Sequence, residues 1–112
     1  LVQIGHNVII GAHTAIAGSA VIAGSVMIGK RCMIGGATAI AGHISITDDV
    51  VITGLSGVTN SIKKPGKYSG SMTTTDNTTW RKNMVRLRHL DELVRRLNAL
   101  EDKISKSKET GK

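Results

Sequence analysis

Isoleucine returns every sixth residue, at 4, 10, 16, 22, 28, 34, 40, 46 and 52, and Val58 continues the series, so ten hexads run without insertion. The residue after each is small or Thr: Gly5, Gly11, Ala17, Ala23, Gly29, Gly35, Ala41, Thr47, Thr53 and Thr59. The fifth residue of each hexad runs Val8, Thr14, Ala20, Val26, Cys32, Thr38, Ile44, Val50, Ser56 and Ile62. It stands two before the next aliphatic residue and faces the same way in a strand. Each hexad thus offers two inward side chains and a turn. That is too little to bury a face alone, so stability must come from stacking on neighbours.

A six-residue apolar period with small turn residues predicts a hexapeptide parallel β-helix. The pattern resembles the left-handed parallel β-helix of hexapeptide-repeat acyltransferases, in which three hexads make one triangular coil. The left hand is implied by that resemblance, since the general crossover rule favours the right. On that geometry residues 18 apart stand one above another, and ten hexads make about three and a third coils. The sixth hexad position points outward, yet it holds Ile9, Val21, Met27, Met33 and Val51. Soluble monomers rarely expose such a band, so a subunit interface or an acyl-chain groove is expected there, with Met27 and Met33 as substrate-binding candidates. A homotrimer around the prism axis is the expected assembly.

The period stops after Ile62, where Lys63, Lys64, Pro65 and Gly66 mark a turn. Further on, Leu90, Leu93, Leu97, Leu100 and Ile104 alternate spacings of three and four, with Trp80, Met84 and Leu87 upstream. This predicts a helix with an a/d stripe, capped by Asp76 or Thr78. The expected organisation is a β-helix over 1–63, a connector over 64–76, a helix over 77–106 and a disordered tail over 107–112. The fold class is mainly β, a left-handed parallel β-helix followed by a C-terminal α-helix.

Composition sharpens this picture. One Tyr, one Trp and no Phe in 112 residues exclude a conventional aromatic-rich globule. The net charge of +7 lies entirely in the C-terminal part, where residues 63–112 hold thirteen Lys and Arg against six Asp and Glu. Arg81, Lys82, Arg86 and Arg88 on the predicted helix suit a docking surface for an acidic partner. Nucleic acid is not expected, because no binding motif and almost no stacking ring is present. A single cysteine, Cys32, excludes an intramolecular disulfide or a multi-cysteine zinc cage. No apolar run is long enough to span a bilayer and nothing resembles a signal peptide, so a reducing, cytoplasmic setting is expected. Leu1 stands inside a repeat already under way, as expected of a piece of a longer chain.

His6, Gly24 and Gly42 are the third residues of hexads one, four and seven and stack along one edge, with His43 beside the column. Two histidines converging near glycine amides are the strongest chemical signal in the chain. Around them, Gln3-Ile-Gly-His6-Asn7, Cys32-Met-Ile-Gly-Gly36, Ala41-Gly-His43 and Ile52-Thr-Gly54 precede Pro65-Gly-Lys-Tyr-Ser69 and Trp80-Arg81. Together these segments resemble the C-terminal part of the UDP-3-O-(3-hydroxyacyl)glucosamine N-acyltransferases of lipid A biosynthesis in Gram-negative bacteria. The hexads are common to many transferases; the two histidines 37 residues apart, with the Gly-Lys-Tyr-Ser and Trp-Arg segments, are more specific.

The resemblance implies transfer of a 3-hydroxyacyl group from acyl carrier protein to the 2-amine of a UDP-linked, 3-O-acylated glucosamine. Neither metal nor bound cofactor is implied; the acyl group arrives on the carrier's phosphopantetheine. His6 matches the family's general base, suited to that role by the near-neutral titration of imidazole. Gly24 matches the oxyanion amide, and His43 the second, substrate-binding histidine. Gly57 falls at a position that sets acyl length, where glycine leaves room for a longer chain. The basic helix would receive the acidic carrier protein. The family's N-terminal uridine-binding domain has no counterpart in this sequence, so weak turnover by the chain alone is expected. Another hexapeptide transferase, an O-acyltransferase on UDP-N-acetylglucosamine or a coenzyme A-dependent acetyltransferase, is the nearest rival. A non-catalytic trimeric scaffold and a three-histidine zinc carbonic anhydrase are the others.

Overall fold

Each hexad forms one short strand, because its sixth and first residues are extended and the next four turn the chain through a corner. The computed structural model, which describes residues 1–71 and 73–110, shows β1 (Gln3–Ile4), β2 (Ile9–Ile10), β3 (Ala15–Ile16), β4 (Val21–Ile22), β5 (Met27–Ile28), β6 (Met33–Ile34), β7 (Ala39–Ile40), β8 (Ser45–Ile46), β9 (Val50–Ile52), β10 (Gly57–Val58) and β11 (Gly66–Tyr68). They pair in parallel as three sheets, β1-β4-β7-β10, β2-β5-β8 and β3-β6-β9-β11. The register is 18 residues, with Ile4 on Ile22 and Ile22 on Ile40. This is a parallel solenoid of about four turns, consistent with a left-handed β-helix, and an α-helical segment follows it.

The core is the stack of first and fifth hexad residues. Ile22, Ile28, Ile34, Ile40, Ile46 and Ile52 are buried, with Ala20, Val26, Cys32 and Val50 between them. Thr38 and Ser56 are buried too, and each donates its hydroxyl to the Thr53 carbonyl, at 3.2 and 2.6 Å. Such pairing is what makes a buried hydroxyl tolerable. Ile4 and Ile10, in the first coil, have no coil on their outer side and are exposed.

The first nine corners use the same backbone device. The fourth hexad residue is left-handed, with φ between 55 and 64° at Asn7, His13, Ser19, Ser25, Arg31, Ala37, His43, Asp49 and Leu55. Such a conformation opposes the preference of L-residues. From Ser25 to Leu55 a repeated hydrogen bond braces it: the fourth-residue N–H donates to the third-residue carbonyl one coil earlier, as in Arg31 to Ala12 at 2.9 Å and Asp49 to Lys30 at 2.9 Å.

The coil continues past the end of the sequence period. Ile46 bridges Ile62, and β11 pairs Gly66 with Val50, both 16 residues apart. The last turn is two residues short, which shifts the hexad phase while keeping the sheet. The span 64–76 thus contains a strand, anchored by a 2.7 Å bond from the Tyr68 hydroxyl to the Lys64 carbonyl.

Leu1–Met72 and Thr73–Lys112 are separate compact units. In the second, α1 (Asn77–Arg88) starts at Asp76, whose carboxylate accepts from the Thr79 N–H at 3.1 Å. Where one helix was expected over 77–106 there are two, α1 and α2 (Leu90–Thr110). At His89 the chain tightens: its N–H donates to the Arg86 carbonyl at 3.0 Å, three residues back instead of four. α2 runs beyond 106 to Thr110, and Gly111 and Lys112 of the expected tail lie outside the described residues. Among the described residues no helix is long and apolar enough to cross a membrane.

Candidate functional site

The three corner columns share a backbone and differ in side chains. One column carries Ala12, Lys30 and Asp48 at the third position, with His13, Arg31 and Asp49 at the fourth. A second carries Gly18, Gly36 and Gly54, with Ser19, Ala37 and Leu55. The remaining column, between the first sheet and the β2-β5-β8 sheet, carries His6, Gly24 and Gly42, with Asn7, Ser25 and His43.

In that last column the imidazole of His6 lies flat against the Gly24 backbone. A methyl built on Gly24 would stand 2.5 Å from His6 Nε2 and 2.8 Å from Cε1, so any side chain there would displace the ring. The main chain locks the three rungs together: Ser25 N–H donates to the His6 carbonyl at 2.8 Å and His43 N–H to the Gly24 carbonyl at 3.0 Å. His6 and His43 are exposed, and Gly24 and Gly42 are half-buried. The Gly24 N–H meets no acceptor among the described residues.

Asn7 adds a contact that the sequence reading did not assign. Its side-chain amide lies 3.4 Å from His6 Nδ1. The atom facing the ring is the amide nitrogen Nδ2, and which partner donates follows the tautomer of the imidazole. The signal was available in sequence as the neighbour of His6 in a left-handed corner, a conformation Asn adopts readily.

The other expected site residues are placed as follows. Met27 is exposed on the β2-β5-β8 sheet, which borders the His6 corner. A shallow groove of about 510 Å³ runs along that face, lined by Ile9, Met27, Ser45, Asp48 and Lys63 among others. Met33 is exposed on the β3-β6-β9-β11 sheet, opposite that corner, so the structure does not bring the two methionines together within one copy. Gly57 lies in β10 on the first sheet, and a methyl there would meet nothing within 4 Å. Arg81, Lys82, Arg86 and Arg88 are exposed on α1, in the second unit.

Charge is concentrated at the Lys30–Asp48 column. Arg31 Nε and Asp49 Oδ1 are 2.7 Å apart, with a second bond from Nη2 to Oδ2 at 3.0 Å. The Arg31 hydrogen bond holds the Asp49 carboxyl below the usual carboxylate range, and Asp49 in turn raises Arg31. Asp48 Oδ1 accepts from the backbone N–H of Lys30 at 2.7 Å. Among the described residues no three His, Cys, Asp or Glu side chains come together as metal ligands.

Fold and site define a hexapeptide-repeat β-helix protein with a histidine–glycine corner. The chain is homologous to curated proteins named UDP-3-O-acylglucosamine N-acyltransferase. It is 71% identical over 100 residues to that of Xylella fastidiosa (strain M12), and 67% identical over 100 residues to that of Xanthomonas campestris pv. campestris (strain 8004). Each match covers 89% of this chain and 30% of the relative, so the chain spans about a third of the length of the proteins it matches. No family model matches it.

Proposed function

We propose that this chain carries the acyl-transfer corner of an N-acyltransferase that moves a 3-hydroxyacyl group from acyl carrier protein to the 2-amine of UDP-3-O-acylglucosamine, the lipid A reaction. The observation that carries this reading is the His6 ring laid against Gly24, whose N–H has no acceptor among the described residues. A base and an oxyanion donor thus stand one rung apart. The name of the relatives supplies the nucleotide-sugar substrate and the N-acyl chemistry.

On this reading the transfer runs as follows. The substrate amine attacks the thioester carbonyl carbon, forming the C–N bond, while the carbonyl oxygen gains negative charge and takes the Gly24 N–H. His6 Nε2 accepts the proton leaving the amine. As the tetrahedral intermediate collapses the C–S bond breaks, and the proton passes from His6 to the departing phosphopantetheine sulfur. A single preorganised oxyanion donor contributes roughly 10²- to 10³-fold to kcat, and a positioned base roughly 10²- to 10⁴-fold. His43, tied to the Gly24 carbonyl through its own N–H and exposed, would bind the substrate beside the same rung. The chemistry uses no metal or resident cofactor.

The groove past Ile9 and Met27 suits an acyl chain, and the open space at Gly57 suits one of greater length. Met33 would face this site only from a neighbouring copy, which favours a homotrimer. The exposed stripe of Leu93, Leu97, Leu100 and Ile104 on α2 favours the same assembly. Arg81, Lys82, Arg86 and Arg88 would receive the acidic carrier protein, and a carrier-borne donor belongs to the cytoplasm.

The test is His6→Ala in the full-length gene product, with titration against 3-hydroxyacyl carrier protein and acetyl-coenzyme A as donors. Loss of transfer by roughly 10²-fold or more with assembly intact, together with binding of the carrier thioester alone, is the expected result. Unchanged transfer would favour a scaffold, and binding of coenzyme A alone would favour the short-acyl rival.

A further inference from the structure

The repeat supplies an internal control for the oxyanion amide. The third-position N–H of Lys30 and that of Gly24 occupy equivalent corners, one in each of two columns. Lys30 N–H is taken by the Asp48 carboxylate, 18 residues on, at 2.7 Å. The residue 18 after Gly24 is Gly42. Of the differences between the two corners, the one that occupies the amide is the residue stacked over it, an aspartate in one column and a glycine in the other.

We infer that Gly42 is a positioning residue for acyl transfer: having no side chain, it keeps the Gly24 N–H free for the substrate oxygen, whereas an acceptor side chain there would cap it. This rests on the proposed role of Gly24.

The local geometry carries the inference. A Cβ on Gly42 would lie 3.1 Å from the Gly24 carbonyl oxygen and 3.9 Å from the Gly24 nitrogen, which places a side chain beside that amide. Gly42 is outside the left-handed region, so its backbone accepts an L-residue, as the same corner position does at Asp48. On the other side of the amide stands Gly5, where a methyl would lie 2.6 Å from the Gly24 nitrogen. Glycines on both neighbouring rungs therefore leave this N–H clear.

The test compares Gly42→Asp, Gly42→Asn and Gly42→Ala, with Asp48→Gly as the reciprocal change. The readouts are the Gly24 and Lys30 amide resonances in this 112-residue chain and steady-state kinetics in the full-length gene product. The Asp and Asn variants are expected to move the Gly24 amide proton downfield, as a new hydrogen bond does, and to lower kcat by roughly 10²- to 10³-fold with KM little changed. Asn separates capping from added charge. Ala supplies no acceptor; it should leave the Gly24 amide near its original position and cost less than about tenfold, corresponding to one crowded contact. Asp48→Gly should move the Lys30 amide upfield, and no such move would overturn the internal comparison. A Gly24 amide unmoved by both Asp and Asn would overturn the inference whatever the kinetics. A capped amide with full kcat would overturn the oxyanion role of Gly24 itself, and with it the need for glycine at 42.

Discussion

Ile4, Ile22 and Ile40 form one inward column, and replacing its members with alanine measures what a coil contributes by stacking. Ile40 lies between Ile22 and Val58 and is 2% exposed, whereas Ile4 has no coil beyond it and is 49% exposed. Ile→Ala removes three carbons. Full transfer of those groups is worth roughly 0.8 kcal/mol each. At Ile40 a cavity penalty adds to this, because rungs held by sheet hydrogen bonds on both sides relax little, giving a loss of about 3–4 kcal/mol. At Ile4 about half of the transfer free energy applies and no closed cavity forms, so the loss is about 1 kcal/mol. Urea unfolding of this 112-residue chain, followed by far-ultraviolet circular dichroism, checks the pair. The expected midpoint shift is about three times larger for Ile40→Ala. Equal losses would refute the argument, since they would mean that burial in this column is not set by the coils on either side.

Ala37 is left-handed and exposed, so Ala37→Gly should stabilise the chain by up to about 1 kcal/mol; Ala23→Gly, one position before a corner glycine and not left-handed, should destabilise by roughly 0.5–1 kcal/mol. A common sign in thermal denaturation would contradict this. The Asp49 carboxyl is held low by Arg31, so its contribution is present above the ordinary carboxylate range and fades as pH falls through the depressed folded value. The stability difference between wild type and Asp49→Asn should therefore be seen at neutral pH, shrink in salt and vanish in strong acid; a difference that grew with acid would oppose the assignment. Asp76, held low by Thr79 at the α1 N-terminus, follows the same sign. Asp76→Ala should fray residues 77–80 in amide exchange and leave β-helix amides unchanged. Gly57→Met should shift product profiles toward shorter acyl chains, and an unaltered profile would remove Gly57 from the acyl path.

The solenoid was legible because its physics repeats. Each rung must place aliphatic groups at the first and fifth hexad positions, and Ile, Val and Ala do so ten times. The His6–Gly24–Gly42 column follows from the same 18-residue register. β11 was not legible: the last turn drops two residues, so a reading tied to the six-residue phase loses the strand at Gly66–Tyr68. The left-handed corners were hidden for another reason. Their residues range from Asn and Ser to Arg and Leu, and no glycine marks them. The separation of Met27 from Met33 was implicit, since successive hexads occupy successive faces. The break at His89 carries neither Pro nor Gly, and nothing in the sequence marks it.

A repeat also makes function readable by difference, since the three corner columns are near-copies of one backbone. The Gly18–Gly36–Gly54 column has third-position amides without acceptors at Gly36 and Gly54 among the described residues, but no titratable side chain at its third and fourth positions. It has donors and no base. The Ala12–Lys30–Asp48 column has an imidazole at His13, but Asp48 takes the Lys30 amide and Asp49 pairs with Arg31. Its base stands one coil before an amide that is closed. Only the His6–Gly24–Gly42 column combines an imidazole packed on the backbone with an amide that the described residues leave open. Acyl transfer needs both at once, because the proton leaves the nucleophile as negative charge develops on the carbonyl oxygen. The side chains that distinguish the corners, more than the fold they share, are what single out the His6 corner for the proposed chemistry.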